Sequence, residues 1–200
     1  MGWETTSEEL LLEVEKDRAF YTQSQGGVTF TGGEPLQQAE FLIETAKRFK
    51  KANLHLCLDT TAYANVTVFQ KVSQYIDLFL FDLKHFDNES HIKYTGVSNH
   101  PILKNLEYLI HSKKEVVIRF PVIPGINDQP EHLEKMASYL QSLKGIKNIH
   151  LLPYHKIAQG KYEQFGFRDR MKEVAEHSGE EILKIKSFFE YNNFKIKIGG

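Results

Sequence analysis

Short apolar runs alternate with amphipathic stretches along the whole chain. The segments Val28–Phe30, Leu54–Leu58, Leu78–Asp82, Val116–Phe120, Ile149–Leu152 and Phe194–Ile198 predict strands. Most are almost continuously apolar, the pattern of strands covered on both faces. Helical periodicity fills the gaps. Thr6 with Glu9, ahead of Leu10-Leu11-Leu12, reads as a capping box, and Ser178 with Glu181 repeats it before Ile182, Ile185, Phe188 and Phe189. Asn127 or Asp128 is predicted to cap a helix running through Met136, with Pro130 near its first turn. Repeated strand–helix units predict an α/β fold with a mainly parallel sheet and right-handed crossovers, which an open sheet or a barrel satisfies equally. No linker, low-complexity stretch or charge block divides the chain, so residues 1–200 read as one domain.

Composition narrows the functional classes. The chain has 200 residues, 41% of them hydrophobic, and a formal net charge of -1. So balanced a charge gives no electrostatic reason for nucleic acid or an anionic membrane as the main partner. The apolar run at Leu78–Phe81 is too short to span a bilayer. Glu4, Glu8, Glu9 and Glu13 stand where a signal peptide needs basic and apolar regions, so the expected location is the cytoplasm. Cys57 is the only cysteine, which excludes an internal disulfide and any metal site needing two thiolates from this chain.

Polar residues of unusual type gather just beyond the ends of successive predicted strands. They are Thr31-Gly32-Gly33-Glu34-Pro35, Asp59-Thr60-Thr61, Asp82-Leu83-Lys84, the turn Pro124–Asp128 after Arg119, and Pro153-Tyr154-His155. In a parallel α/β architecture these ends open on the face where ligands bind. Gly32 and Gly33 suit a sharp turn or a close backbone approach to a ligand, and Glu34 offers a carboxylate to a ligand ammonium. Asp59 and Thr60 suit a cation or ribose hydroxyls, though alone they read as helix caps. Asp82 and Lys84, two apart on a strand, share a face and serve a salt bridge or a ligand equally well. Arg119, inside an apolar strand, needs a carboxylate partner. A lone histidine such as His155 is more often structural, and its place on this rim raises its interest. His85 and His91 are expected to be solvated. No zinc spacing, dinucleotide fingerprint or Walker A loop is present.

The string Gly26-Gly27-Val28-Thr29-Phe30-Thr31-Gly32-Gly33-Glu34-Pro35-Leu36 resembles the segment around the GGE motif of radical S-adenosylmethionine (SAM) enzymes. Its form is similar to activating enzymes of glycyl radical enzymes, the pyruvate formate-lyase activating enzyme among them. Leu58–Thr61, Phe81–Lys84, Tyr94–Gly96, Ile118–Pro121, Pro124–Asp128 and Leu151–His155 follow in the family's order, so the resemblance covers essentially the whole chain. It implies a partial (β/α)6 TIM-like barrel binding SAM on its open face. Gly32, Gly33 and Glu34 would hold the methionine amino group. Asp82, Leu83 and Lys84 would contact the methionine part, with Arg119 beside them and His155 on the adenosine side. Asp59, Thr60 and Asp82 would help hold a monovalent cation. The implied reaction is reductive cleavage of SAM by a 4Fe–4S cluster, giving a 5′-deoxyadenosyl radical that takes a hydrogen from a glycine of the partner enzyme. A flavodoxin or ferredoxin would be the reductant.

One departure stands out. The family holds its cluster through a CxxxCxxC loop, and this sequence has none. The barrel is therefore expected to lack its first strand and cluster loop, leaving Val28–Phe30 as an edge prone to self-association, and these 200 residues alone to be inactive. A non-catalytic SAM-binding or interaction fragment is a second reading. An ordinary barrel aldolase with Lys84 as nucleophile is a third.

Overall fold

In the computed structural model, which describes residues 3–156 and 174–199, helices α1 (Ser7–Glu15) and α2 (Arg18–Ser24) precede strand β1 (Val28–Phe30). A 3-10 turn (Pro35–Gln38) leads into α3 (Ala39–Lys51), β2 (Leu56–Thr60), α4 (Val66–Ser73) and β3 (Leu78–Asp82). Helices α5 (Asn88–Thr95) and α6 (His100–His111) come before β4 (Glu115–Val122). Next are α7 (Pro130–Ser142), β5 (Asn148–Pro153), α8 (Gly179–Tyr191) and β6 (Lys195–Ile198). The strands form one sheet in the order β1-β2-β3-β4-β5-β6, and the pairs β1–β2, β2–β3 and β5–β6 run parallel. Strand β1 is an edge of that sheet, with Thr29 exposed and its neighbours half-buried. Among the described residues no helix is long and apolar enough to cross a membrane.

Two compact units divide the chain, Met1–Asp82 with Val97–Val117, and Leu83–Gly96 with Ile118–Gly200. The first is packed around Phe49, Phe69, Phe79, Leu56, Leu58 and Leu106. Phe69 is the hinge of its aromatic packing, 5.8 Å from Phe79 and 6.5 Å from Tyr108 between ring centroids. The second is packed around Phe120, Phe189, Met136, Leu140, Ile149 and Leu151, with Phe120 and Phe189 edge to face at 6.1 Å. Both arrangements of ring pairs add to the area term.

Helix ends explain where the strands begin. Four helices close with the same motif, a left-handed residue followed by a residue whose N–H returns to the helix, the first being α2, where Gln25 has φ 54° and the Gly26 N–H donates to the Tyr21 carbonyl at 3.1 Å. After α3, Asn53 has φ 55°, and the Leu54 N–H donates to the Phe49 carbonyl at 3.1 Å. After α6, Lys113 and Lys114 do this against Leu109, and after α8, Asn193 and Phe194 do it against Phe189. Leu54 and Phe194 are buried, as their hydrophobicity demands, but their N–H groups belong to the helix cap. Strands β2 and β6 therefore start at Leu56 and Lys195, later than the apolar pattern suggests.

The two capping boxes form as expected, on Thr6–Glu9 and Ser178–Glu181. The third cap does not. Gln129 occupies the N-cap of α7 and makes no side-chain cap bond. Asn127 is buried instead, accepting from the Ile123 N–H at 2.8 Å and donating to the carbonyls of Lys84 and Pro121. Asp128 accepts from the Gly125 N–H at 2.9 Å and lies 3.1 Å from His177 Nε2. Both side chains are taken up by backbone groups of the turn itself, and Asn127 also by the Lys84 carbonyl, so neither caps the helix.

His85 and His91 are not solvated: they retain only 7% and 1% of their exposure. His85 Nδ1 accepts from the Asp87 N–H at 3.1 Å, which leaves Nε2–H to donate to the Ile126 carbonyl at 3.3 Å. Its ring packs on that of His132, centroids 4.1 Å apart. Burial, and after it the neighbouring His85, pushes the His132 pKa from 6.5 down to about 4. Asp87 and Asp128 oppose that shift and Lys135 adds to it. Burial likewise lowers His85. The unfolded chain thus takes up a proton near pH 6.5 that the folded chain refuses until about pH 4. Stability is complete above the upper value and falls as pH drops through that window. Urea unfolding midpoints should decline between pH 7 and pH 5, and His132→Leu should flatten that decline; an equally steep decline in the variant would refute it.

Candidate functional site

Strand β1 ends in a turn built from two left-handed glycines, Gly32 with φ 92° and Gly33 with φ 61°. Side chains rarely adopt these values. A Cβ built on either glycine meets nothing within 4 Å, so the chain itself does not crowd them and the space before the turn is open. Glu34 follows and returns to extended backbone, φ -122°. Its carboxylate accepts from Leu36 N–H at 3.2 Å and Thr60 Oγ1 at 2.6 Å through one oxygen. The other oxygen accepts from Thr61 N–H at 2.9 Å and from the Thr61 hydroxyl. A carboxylate has about four acceptor positions, so all are in use. Glu34 both caps the 3-10 turn and clamps it to the end of β2.

Strand β2 continues through Asp59 to Thr60, and α4 takes its cap from Asn65, whose Oδ1 accepts from Thr67 N–H at 2.9 Å. Asp59 and Thr60 are therefore not helix caps. The parallel register sets Phe30 beside Leu58, which brings Thr31 level with Asp59, and Thr31 Oγ1 donates to Asp59 Oδ2 at 3.1 Å. Thr60 is buried and its hydroxyl also accepts from Ala62 N–H at 2.8 Å. Asp82 closes β3, one position past the Thr60–Phe81 pairing. Two bonds, Thr31 to Asp59 and Thr60 to Glu34, thus tie the two sides of the glycine turn to the end of β2 in the first unit.

In the second unit, Leu83 is buried and its N–H donates to the Arg119 carbonyl at 3.0 Å. Lys84 presents its carbonyl to Asn127. Arg119 is half-buried in β4. Its charge, with that of Lys197, adds to the burial that lowers the His150 pKa. His155 is exposed beyond β5, with Nδ1 3.6 Å from Glu176 Oε2. One positioning residue escaped the sequence reading. At Gly27 a Cβ would lie 2.1 Å from the His55 carbonyl oxygen, so only glycine lets Val28 N–H reach that oxygen and start the β1–β2 pairing. The Gly26-Gly27 pair was its only signal.

Comparison with known proteins decides the family. The radical SAM superfamily model matches residues 2–140. The chain belongs to the radical SAM superfamily. It is 40% identical to the trans-4-hydroxy-L-proline dehydratase activating enzyme of Clostridioides difficile, over 100% of this chain and 67% of that protein. It is 37% identical to the choline trimethylamine-lyase activating enzyme of Oleidesulfovibrio alaskensis, over 99% of this chain and 65% of that one. Against these relatives the chain spans about two thirds of their length. A crystallised domain of the pyruvate-formate lyase-activating enzyme of Bacteroides vulgatus superposes with TM-score 0.72 at 32% identity, covering 88% of this chain and 99% of that one. The fold is the α/β partial barrel of this superfamily, within its branch of glycyl radical enzyme activating enzymes.

Radical SAM enzymes use SAM and a 4Fe–4S cluster, and the two fit these residues differently. At the glycine turn no atom of the chain lies within 4 Å of a Cβ built on Gly32 or Gly33, so the chain leaves room there for a ligand to approach the backbone. The cluster does not fit: Cys57 is the only thiol and lies buried in β2. Among the described residues no group of three or more His, Cys, Asp or Glu side chains could hold a metal ion.

Removing the Glu34 clamp leaves the buried Thr60 hydroxyl and two backbone N–H groups without an acceptor. Glu34→Ala should lower the unfolding free energy by about 2 kcal/mol in urea titrations. A change under about 0.5 kcal/mol would show that the clamp is not structural.

Proposed function

We propose that this chain is the SAM-holding part of an activating enzyme for a glycyl radical enzyme. The observation that carries the reading is the braced turn at the end of β1, whose left-handed glycines face open space. With the Glu34 carboxylate fully engaged by Leu36, Thr60 and Thr61, the turn offers an ammonium group its backbone carbonyls. Gly32, Gly33 and Glu34 hold the methionine amino group in this way. Asp59, Thr60 and Asp82 bring oxygen ligands suited to a monovalent cation. Asp82, Leu83, Lys84 and Arg119 serve the methionine part, and His155 the adenosine part. Bound SAM supplies the group that removes hydrogen from a glycine of the partner enzyme. A cluster, with an external flavodoxin or ferredoxin as reductant, draws its thiolates from outside these 200 residues. The working location is the cytoplasm.

The single cysteine also favours a second reading, a SAM-binding module without catalysis. Family membership leaves no support for the aldolase reading of Lys84. The two remaining readings separate when the amino-terminal segment of the Clostridioides difficile relative is fused ahead of this chain. The enzyme reading expects a glycyl radical signal by electron paramagnetic resonance in its dehydratase partner; a fusion that carries its cluster and gives no signal would favour the module.

Calorimetry on the 200-residue chain should detect SAM binding, and Gly33→Ala should weaken it by roughly tenfold through strain at the turn. After anaerobic reconstitution the same chain should hold no stoichiometric iron or sulfide and release no 5′-deoxyadenosine from SAM. No measurable SAM binding would overturn the SAM reading. A stoichiometric cluster would overturn the thiolate argument.

A further inference from the structure

A second cavity, of about 560 Å³, lies in the first unit beyond the clamped end of β2. Its walls are the loop from Tyr63 to Val66, Gln37 of the 3-10 turn, and the first turns of α6, from His100 to Asn105. That volume is in the range of ligand pockets. None of its lining residues is acidic. Lys104 and His100 are exposed there, and among the described residues their side chains have no ion-pair or hydrogen-bond partner. The N-terminus of α6 lies at the same place; Asn99 gives it no side-chain cap bond, Ser98 Oγ accepts from the His100 N–H at 3.2 Å, and Pro101 brings no N–H, so what the helix start offers is mainly its dipole. The Lys104 ammonium, the His100 imidazole and the positive end of a 12-residue helix therefore bear on one open space.

Asn105 adds an independent observation. It is fully buried and lines the cavity, and its Nδ2 donates to the carbonyls of Ala62 at 2.9 Å and Ala64 at 3.0 Å. These bonds fix the loop that forms one wall. Its Oδ1 has no hydrogen-bond partner. A buried acceptor in that state carries a desolvation cost that an incoming N–H would remove. Tyr63, 39% exposed, and Pro101 supply apolar surface beside these groups.

We propose that this cavity docks an acidic peptide segment of a partner protein. The carboxylate of one Asp or Glu meets Lys104, His100 and the start of α6. A backbone N–H of the same segment donates to Asn105 Oδ1, and its apolar neighbours rest on Tyr63 and Pro101. A free carboxylate satisfies only the first of these demands, and an apolar peptide only the last. A peptide with one acid among apolar residues satisfies all three. The proposal does not depend on SAM binding, because no residue of the glycine turn takes part.

The test is selection of random linear heptapeptides, displayed on phage, against the immobilised chain, followed by fluorescence anisotropy on the synthesised winners. Winners should share an Asp or Glu flanked by apolar residues, and changing that acid to Asn or Gln should weaken binding roughly tenfold. Lys104→Glu should weaken it by a similar factor, while Lys113→Glu, at the other end of α6, should leave it unchanged. Winners without a shared acid, an absence of winners, or binding that survives Lys104→Glu would overturn the proposal. So would displacement by N-acetylglutamate at the same concentration as by the peptide, which would mark a site for a small carboxylate. Asn105→Leu tests the acceptor separately and is read only if its thermal midpoint stays near that of the parent chain.

Discussion

The Glu34 carboxylate joins two strand ends that the sheet alone would leave free. Strand β1 has only three residues and, among the described residues, one neighbour, β2. Its ladder cannot fix what comes after Phe30. The chain then enters two left-handed glycines, which are the least constrained residues available. Order returns at Glu34, through bonds to the hydroxyl of Thr60 and both the hydroxyl and N–H of Thr61. The flexible part of the turn is thus confined to the residues whose backbone faces open space. The same clamp fixes Thr60, whose hydroxyl passes the constraint to Ala62 N–H, and Ala62 and Ala64 are held in turn by Asn105. One carboxylate therefore bears on the glycine turn and, through the loop, on the wall of the second cavity.

Much of this was legible in the residues. Alternation of apolar runs with capped helices gave the α/β class, and the placement of polar residues after strands gave the candidate positions. What escaped was whatever depended on the destination of a particular N–H. Leu54 and Phe194 look like strand residues because they are buried, yet their N–H groups close helices. Asn127 and Asp128 look like caps because their type and position suit one, yet the Pro124–Asp128 turn has nearer backbone groups for them to satisfy. His85 and His91 follow a polar loop, yet both are buried, His85 against the His132 ring of α7 and the Ile126 carbonyl. In each case local chemistry offered two partners, and tertiary structure chose between them.

Glu34 illustrates a different limit. Its place after the glycine pair suggested a carboxylate waiting for a ligand cation, and that role does not require any protein partner. The structure supplies four donors from this chain instead. Placing an ammonium on the same oxygens would mean breaking bonds that hold Thr60 and Thr61. In the proposed SAM site, backbone carbonyls of the turn would accept without that rearrangement, so recognition of the amino group would rest on a backbone shape and not on a side chain. On that proposal, a substitution that keeps the acceptors but alters glycine geometry would damage recognition more than stability, while loss of the carboxylate would act the other way round.

Thiol count and fold pull in separate directions, and physical chemistry reconciles them. The barrel fold and the relatives belong to enzymes whose reaction begins at a cluster, whereas the only thiol here is sealed inside β2. Moving Cys57 to any strand end would require breaking the register that pairs it with Thr29 and Leu78. The cluster's ligands and the turn proposed to receive SAM are therefore separable parts: the first needs soft thiolates, the second backbone carbonyls and open space. Strand β1 is where such parts would meet, because it is the sheet edge that carries the glycine turn at its end. An edge strand of three residues is too short to be a strong template for indiscriminate pairing, and among the described residues no strand pairs with its outer side. That combination, a short edge with a rigidly clamped exit, lets a neighbouring strand be added without disturbing the residues that would face SAM.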